Sequence, residues 1–224
     1  MSTAEVLAGV DIVALRLGGE GALELLLIRR AQAPFAEQWA LPGVLVNGRC
    51  ADASLDAAAA RALQDKARIA PAHLEQVATV GNAVRDPRGW SVAIAYCALL
   101  PVQNLPPNRS DISVVPLSAL PQLPFDHRAI LDAALERVRS KSLYSSLPVH
   151  LCGETFTLPQ LQKVYENILG EPLNKVSFRR KMDEMDWLEA VPGAMLGGGA
   201  HRPAQLYRAK PGFSQTLALT ARGL

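Results

Sequence analysis

Cysteine is scarce in this sequence, and the three that occur are far apart: Cys50, Cys97 and Cys152. They form no Cys-x-x-Cys pair. An odd, scattered count argues against a disulfide framework or a zinc site. We expect all three to be ordinary residues, with Cys97, in the apolar segment AIAYCALL, packed in the core.

Long apolar runs are also missing. No stretch approaches the roughly 18 uninterrupted apolar residues of a membrane span. The N-terminus, MSTAEVLAGVD, lacks the basic region and apolar core of a secretory signal. We therefore expect a cytoplasmic protein that does not cross a membrane, with one or two domains in its 224 residues.

An excess of charge of either sign is absent as well, because 23 basic and 21 acidic side chains leave a net charge of only +2. Such a balance provides no general attraction to nucleic acid or to a membrane surface. A basic surface matters here only where positive side chains cluster.

The N-terminal half has the pattern of a mixed sheet flanked by two helices. Residues 10–17 and 23–28 are apolar and separated by a glycine-rich turn, which predicts a hairpin. A third strand is expected to end at LPG, and further strands at 74–84, 90–100 and 113–116. Asp126 is a candidate N-cap for a helix that runs to about Lys141, and His127 beside it is expected to be structural.

Residues 41–69 predict a strand end, a loop from Gly43 to Gly48 and a helix capped by Ser54. This stretch resembles the Nudix box. The box consists of a glycine, a variable loop and a glutamate, followed by Arg-Glu-aliphatic-x-Glu-Glu on a helix. Arg61 and Leu63 match that pattern.

The glutamates of the box do not match. In Nudix hydrolases they bind Mg²⁺ or Mn²⁺, but here the three helix positions are Ala62, Asp65 and Lys66, and Arg68 replaces a later glycine. Hard divalent cations need several oxygen ligands, so we predict no metal, no cofactor and no catalytic residue. Arg61 and Asp65 are then vestiges of the box, and their spacing also fits a plain i,i+4 ion pair.

The C-terminal part has the pattern of a winged helix-turn-helix. Residues 143–148, LYSSLP, are expected to link residues 1–143 to residues 144–224. Thr157 and Asn174 are candidate caps for two helices separated by Gly170. Phe178, in the second helix, is expected to face inward. Residues 187–191 and 205–208 are expected to pair as strands across a glycine-rich loop.

Together these segments resemble the NrtR family of Nudix-related transcriptional regulators. The resemblance lies in FTLPQLQKVYENILGEPLNKVSFRRKM and GGGAHRPAQLYR, and in WALPG, VRDPRGWSVAIAY and LPFDHRAIL nearer the N-terminus. It implies an α+β chain, with a Nudix-like α/β/α sandwich and mixed sheet followed by a winged helix-turn-helix.

The resemblance also implies a function: a homodimeric repressor of genes for NAD metabolism or related pathways, whose Nudix domain senses ADP-ribose or a similar nucleotide. By family position, the implied ligand-binding residues are Arg29, Phe35, Trp39, Arg85, Asp86 and Arg88. Arg29 and Arg88 also fit solvent-facing side chains or ion pairs.

Operator DNA is the implied partner of the winged helix. We expect Lys175, Ser177 and Arg180 to reach base edges in the major groove. The residues expected at phosphates or the minor groove are Arg179, Lys181, His201 and Arg202. A basic run alone also fits a solvated helix face, and the nearby acids Asp183, Glu184 and Asp186 would weaken contact with phosphate.

Two alternatives belong to other functional classes. One is a Nudix pyrophosphohydrolase that acts on ADP-ribose or a related nucleoside diphosphate derivative and retains Asp65. The other is an inactive Nudix adaptor that binds protein alone.

Overall fold

The structure is a computed structural model that describes residues 6–46, 52–104, 106–197 and 203–211. Strands and helices are combined in the predicted α+β arrangement. None of the helices in these ranges is long and apolar enough to cross a membrane.

The N-terminal part is built on one mixed sheet. Its elements are β1 (Leu7–Leu17), β2 (Leu23–Arg29), β3 (Trp39–Ala40), β4 (Gly43–Leu45), α1 (Leu55–Ala67), β5 (His73–Asn82), β6 (Ser91–Leu99), β7 (Ile112–Pro116) and α2 (His127–Ser142). The strand order is β3-β2-β1-β6-β5, with β4 also paired to β1 and β7 to β2. β1 and β6 are parallel, whereas β1 and β2 form the predicted antiparallel hairpin.

Helices cover both faces of the sheet. Successive side chains of a strand point to opposite faces, so Ile12 and Ala14 pack in the cluster that includes α1, while Val13 and Leu15 pack in the cluster that includes α2. Cys97 is buried in the second cluster, as predicted. The result is the predicted α/β/α sandwich.

Helix α1 begins at its predicted cap, where Ser54 Oγ accepts a hydrogen bond from Ala57 N at 3.1 Å. It ends at Arg68, which adopts a left-handed conformation with φ of 54°. Glycine is favoured in this conformation, and a side chain there costs roughly 1–2 kcal/mol. The backbone therefore keeps the turn of a helix-ending glycine although the residue is arginine.

One local prediction is wrong, and a second holds for the position of the residue but not for its hydrogen bond. Gly43 to Leu45 is a strand rather than the start of a loop, because it pairs with residues 9–11 of β1; Gly48 lies outside the described residues. Asp126 does precede α2 as predicted, and the helix runs to Ser142, but the Asp126 side chain makes no capping hydrogen bond. Its carboxylate instead accepts hydrogen bonds from Arg85.

The C-terminal part contains the predicted winged helix-turn-helix. Its elements are β8 (Phe156–Thr157), α3 (Leu158–Leu169), α4 (Lys175–Glu184), β9 (Leu188–Leu196) and β10 (Ala204–Ala209). The three strands form a separate sheet in the order β8-β10-β9. Thr157 and Gln160 form a capping box, Gly170 is left-handed, and Asn174 caps α4.

The segment from residue 143 to 148 is not the simple linker expected from its composition. Ser145, Ser146, Leu147 and Pro148 are all buried. Ser145 Oγ donates to Lys141 O at 2.7 Å, and this bond satisfies a polar side chain inside the protein. The connection is therefore part of the core.

An ion cluster around Glu75 joins β5 to α2. The Glu75 carboxylate accepts hydrogen bonds from His73 (3.0 Å), Arg137 (3.1 Å) and Lys141. Burial by itself raises the pKa of Glu75, but these hydrogen bonds outweigh that effect and lower the pKa to about 2. Folding therefore makes this carboxyl harder to protonate.

Glu75→Gln should lower the free energy of unfolding at neutral pH, because the amide cannot replace a carboxylate beside two cations. The native pKa is depressed, so the contribution of Glu75 is present above the unfolded value of about 4.5 and is lost as the pH falls towards about 2. Urea unfolding across this window should show the variant and the wild type converging. Glu136→Gln, which removes an exposed carboxylate of α2, should have little effect, and a difference for Glu75→Gln that stays constant with pH would contradict the assignment.

Candidate functional site

A cleft with two adjoining chambers lies on the N-terminal part. The inner chamber has a volume of about 590 Å³, and its charged and aromatic lining consists of Asp11, Arg30, Arg61, Lys66, Arg85, Asp86, Arg88, Phe125 and His127. The outer chamber has a volume of about 800 Å³, with Phe35, Trp39, Arg85, Phe125 and Asp126 among its lining residues. Arg85 and Phe125 belong to both.

Arg85 holds the walls of the cleft together. Its Nε and Nη2 donate to the two Asp126 oxygens at 2.9 and 2.8 Å, and Nη2 also contacts Asp11 at 3.3 Å. Nη1 donates to Ser91 Oγ at 3.3 Å. The side chain is only 6% exposed, so this guanidinium is used within the protein.

Asp11 is also packed against His127 and Gly43. Burial lowers the pKa of His127, and its Nδ1 accepts a hydrogen bond from Leu41 N at 3.2 Å. His127 Nε2 then faces Asp11 Oδ1 at 3.7 Å. Both contacts are within the protein, which fits the structural role predicted for His127. A Cβ on Gly43 would lie 2.5 Å from Asp11 Oδ1, so a side chain at residue 43 would displace this carboxylate.

Asp86 and Arg88 form a closed pair at the rim. The Asp86 carboxylate accepts hydrogen bonds from Arg88 N, Nε and Nη2 at 2.9, 3.0 and 2.6 Å. Arg88 thereby holds the pKa of Asp86 below its usual range. Asp86 is buried, whereas the Arg88 side chain is 42% exposed, so the arginine is the member of the pair available to a ligand.

Arg30 brings a further positive charge to the inner chamber. Its Nε donates to Pro34 O at 2.8 Å, and its guanidinium lies 4.8 Å from the centre of the Phe125 ring. Within the described residues, no carboxylate forms an ion pair with it. Burial lowers the pKa of Arg30, and the nearby Arg88 lowers it further. Arg30 and Arg88 are thus two of the five cationic side chains that the described residues contribute to this chamber, and they lie close enough to repel each other, which favours an anionic ligand.

Aromatic rings line the outer chamber, and one of them, Phe125, also lines the inner chamber. The Phe35 and Phe125 rings meet edge to face at 4.7 Å, and Phe125 lies 5.1 Å from His127. Phe35 and Phe125 have φ of 62° and 56°. Such conformations cost on the order of 1–3 kcal/mol in a bulky residue and often occur at functional sites.

The box arginine of α1 is used mainly as a brace. Arg61 donates to Asp52 through Nε at 2.8 Å and through Nη2 at 2.7 Å, and to Leu45 O at 3.2 Å. The predicted i,i+4 contact with Asp65 is present but longer, at 3.7 Å. Asp52, which the sequence pattern did not single out, is therefore the main partner of Arg61.

The donor atoms at the box do not fit a divalent cation. Ala62 is buried and has no ligand atom, and Lys66 adds a positive charge to the lining. Across the described ranges, no group of three or more His, Cys, Asp or Glu side chains is arranged to hold a metal ion.

The structure groups five of the six predicted ligand residues around this cleft: Phe35, Trp39, Arg85, Asp86 and Arg88. Arg29 is not among the lining residues and instead pairs with Glu37 at 2.9 Å. Arg30 and Phe125 were missed as individual residues. Phe125 lies inside the LPFDHRAIL motif, which carried the signal, whereas nothing local distinguishes Arg30 from Arg29.

Helix α4 presents the second candidate surface. Phe178 and Met182 are buried, while Lys175, Ser177, Arg179 and Arg180 are exposed. Phe178 meets Tyr165 of α3 edge to face at 5.3 Å, and this contact fixes the inward side of α4.

The remaining residues predicted to contact DNA differ in their exposure and in their partners. Arg180 lies 3.5 Å from Glu184, an exposed i,i+4 pair of the kind that solvated helices form. Lys181 is partly buried. His201 and Arg202 lie outside the described residues.

Comparison with known proteins assigns the family. The model of the NrtR DNA-binding winged helix domain matches residues 148–209. The ADPR responsive transcriptional repressor NtrR of Acinetobacter baylyi is 42% identical over 194 residues, which cover 84% of this chain and 76% of that protein. The chain belongs to the NrtR family.

Solved structures of this family match both parts of the chain. Shewanella oneidensis NrtR complexed with a 27mer DNA has a TM-score of 0.86 and 36% identity, covering 97% of this chain and 99% of that one. The Nudix domain of that protein, complexed with ADP ribose, has a TM-score of 0.53 and 36% identity over 60% of this chain and 90% of that domain. The cleft of our NrtR-family protein thus lies in a Nudix-like domain, and α4 lies in a winged helix.

Arg85→Met should lower the free energy of unfolding by about 3–5 kcal/mol, because it leaves Asp11 and Asp126 without their buried cation. Urea unfolding of the full chain measures this loss. Arg128→Met is the matched control: Arg128 also pairs with an aspartate, but both side chains are more than half exposed, so the loss should stay below about 1 kcal/mol. Equal losses in the two variants would show that the Arg85 pair is not the brace of the cleft.

Proposed function

We propose that this protein is a transcriptional repressor that binds operator DNA through its winged helix and responds to ADP-ribose through its Nudix-like cleft. The observation that carries the proposal is that one chain combines a cationic cleft with a helix whose uncovered face is polar and basic. The similarity to NrtR proteins described as ADPR responsive or crystallised with DNA or ADP ribose supports it.

The cleft suits a nucleoside diphosphate. Arg30 and Arg88 offer guanidinium groups, which bind phosphate oxygens through paired hydrogen bonds. Phe35, Trp39 and Phe125 provide aromatic surface next to them, on which a nucleobase stacks favourably. We assign the diphosphate to the inner chamber and the base to the outer one.

We further propose that the protein binds this ligand without hydrolysing it. Ala62, Asp65 and Lys66 offer one carboxylate beside an ammonium group, which is a poor site for a hard cation. A ligand that survives binding is a stable signal of its own concentration. The hydrolase alternative requires Mg²⁺-dependent AMP release that Asp65→Ala abolishes.

The acting form is proposed to be a homodimer in the cytoplasm. Two copies of α4 would then enter the major groove at half-sites about one helical turn, or a multiple of one, apart. ADP-ribose changes DNA affinity only if it binds one arrangement of the dimer better than another.

Replacing Arg179 and Arg180 together by alanine should weaken DNA binding by about tenfold or more, because both a base contact and phosphate contacts are lost. The measurement is fluorescence anisotropy of the full chain on a duplex from its own upstream region, at two salt concentrations, with and without ADP-ribose. Wild-type binding should weaken as salt rises and should change with ADP-ribose.

The control variant combines Arg109→Ala with Arg128→Ala, which removes the same charge from exposed arginines of the Nudix-like part. Its affinity should stay close to that of the wild type. Unchanged binding by the α4 variant would remove the assignment of α4, and equal binding of unrelated duplexes by the wild type would count against a repressor.

Arg30→Ala should weaken ADP-ribose binding by about tenfold or more, since a charge-assisted hydrogen bond in the inner chamber is lost. Arg29→Ala is the matched control, because the neighbouring arginine pairs with Glu37 outside the chamber lining and should alter the affinity less than about twofold. Calorimetric titration with ADP-ribose in the absence of divalent metal distinguishes them. If both variants bind equally well, the ligand does not use Arg30.

A further inference from the structure

Helix α4 carries an apolar side chain on the face that its own fold leaves uncovered. Val176, the second residue of the helix, is 77% exposed, whereas Phe178 and Met182 are 2% and 1% exposed. At 3.6 residues per turn, Val176 lies nearly opposite this buried pair. Arg180, four residues later, lies on the same face as Val176.

The fold gives no reason for a valine at this position. Valine is a poorer helix former than alanine because its branched Cβ restricts the side chain. The helix cap uses only the backbone of Val176, whose N–H donates to Asn174 Oδ1 at 3.1 Å. With 77% of the residue in solvent, its methyl groups stabilise little within the chain.

The exposed face around Val176 has the chemical groups that the edge of a DNA base pair can contact. The exposed residues nearest to it in the first half of α4 are Lys175, Ser177, Arg179 and Arg180, and Asp183 and Glu184 are exposed in the second half. The methyl groups of Val176 therefore form a small apolar spot on a polar face that is basic at its N-terminal end. The apolar group that the major groove offers is the C5-methyl of thymine. Residues in the first turn of a recognition helix are the ones that reach base edges.

We infer that Val176 selects thymine by packing its methyl groups against the thymine C5-methyl, an inference that rests on the proposed DNA-binding function. Cytosine lacks this methyl, so a C·G pair at the same position loses the contact. Arg180, on the same face, supplies a charged contact to the neighbouring base or phosphate. Val176 is therefore a residue that sets specificity while adding no charge.

Uracil provides a direct test, because it has the hydrogen-bonding edge of thymine and lacks only the C5-methyl. The probe is the duplex that the full-length protein recovers from a randomised pool, with each thymine replaced by uracil in turn. Anisotropy should show that the wild type binds about threefold to fivefold more weakly when one or a few particular thymines are replaced, as expected for the loss of one buried methyl contact.

Val176→Ala should lose most of that sensitivity, because only its single methyl group remains. It should bind the thymine duplex more weakly than the wild type does, and replacing the same thymines by uracil should weaken it by less than about twofold. Alanine favours the helix, so the circular dichroism spectrum should be unchanged. Val102→Ala, which trims an exposed valine outside the winged helix, should retain the full difference between thymine and uracil.

Two results overturn the inference alone. One is a loss of affinity on replacing thymine by uracil that has the same size in the wild type and in Val176→Ala. The other is a wild-type affinity that changes with uracil at no position. In both cases sequence-preferring binding would still support the proposed function. Recovery of no preferred duplex from the pool would overturn the proposed function, and the inference with it.

Discussion

The guanidinium of Arg85 lies between carboxylates from two distant parts of the chain, Asp11 in β1 and Asp126 before α2. These aspartates are 74 and 41 residues away in sequence. Burying a charged guanidinium is costly unless its hydrogen bonds are satisfied inside the protein. Here two carboxylates and Ser91 satisfy them. The loop after β5, the first strand and the start of α2 are thereby held together. The same segments form the walls of the cleft, whose shape depends on this buried cluster.

Around this brace the cations divide into two sets. Arg85 and Arg61 are bound bidentately by Asp126 and Asp52, and they hold the cleft in shape. Arg30 forms no ion pair among the described residues, and Arg88, although Asp86 also binds it bidentately, is 42% exposed, so a ligand can reach both. A Nudix-like cleft can therefore lose its metal-binding glutamates and still attract a diphosphate, because phosphate oxygens bind guanidinium groups directly.

The winged helix is packed firmly against the domain that carries the cleft. Asn167 of α3 donates to Gly21 O at 2.6 Å, and Arg139 of α2 donates to Ile168 O at 3.2 Å. Tyr165 of α3 also donates to Ser145 O in the connecting segment at 2.8 Å. A single apolar cluster also runs from the sheet through α2 and α3 to α4. Under the proposed function, a displacement of α2 on ligand binding would reach the DNA-binding helix through these contacts.

The elements whose causes are local could be predicted from the amino-acid sequence. The caps at Ser54, Thr157 and Asn174, the left-handed Gly170 and the amphipathic helices all depend on residues only a few positions apart, so they were predictable. The loss of the box carboxylates was equally plain from Ala62, Asp65 and Lys66, and the motifs placed most of the cleft residues. The use of each polar side chain became clear only from the folded chain. Asp126 binds Arg85 instead of capping α2, Arg30 rather than Arg29 lines the inner chamber, and the serines before residue 147 are buried. These outcomes depend on ion pairs and packing between segments tens of residues apart, and no local spacing encodes such contacts.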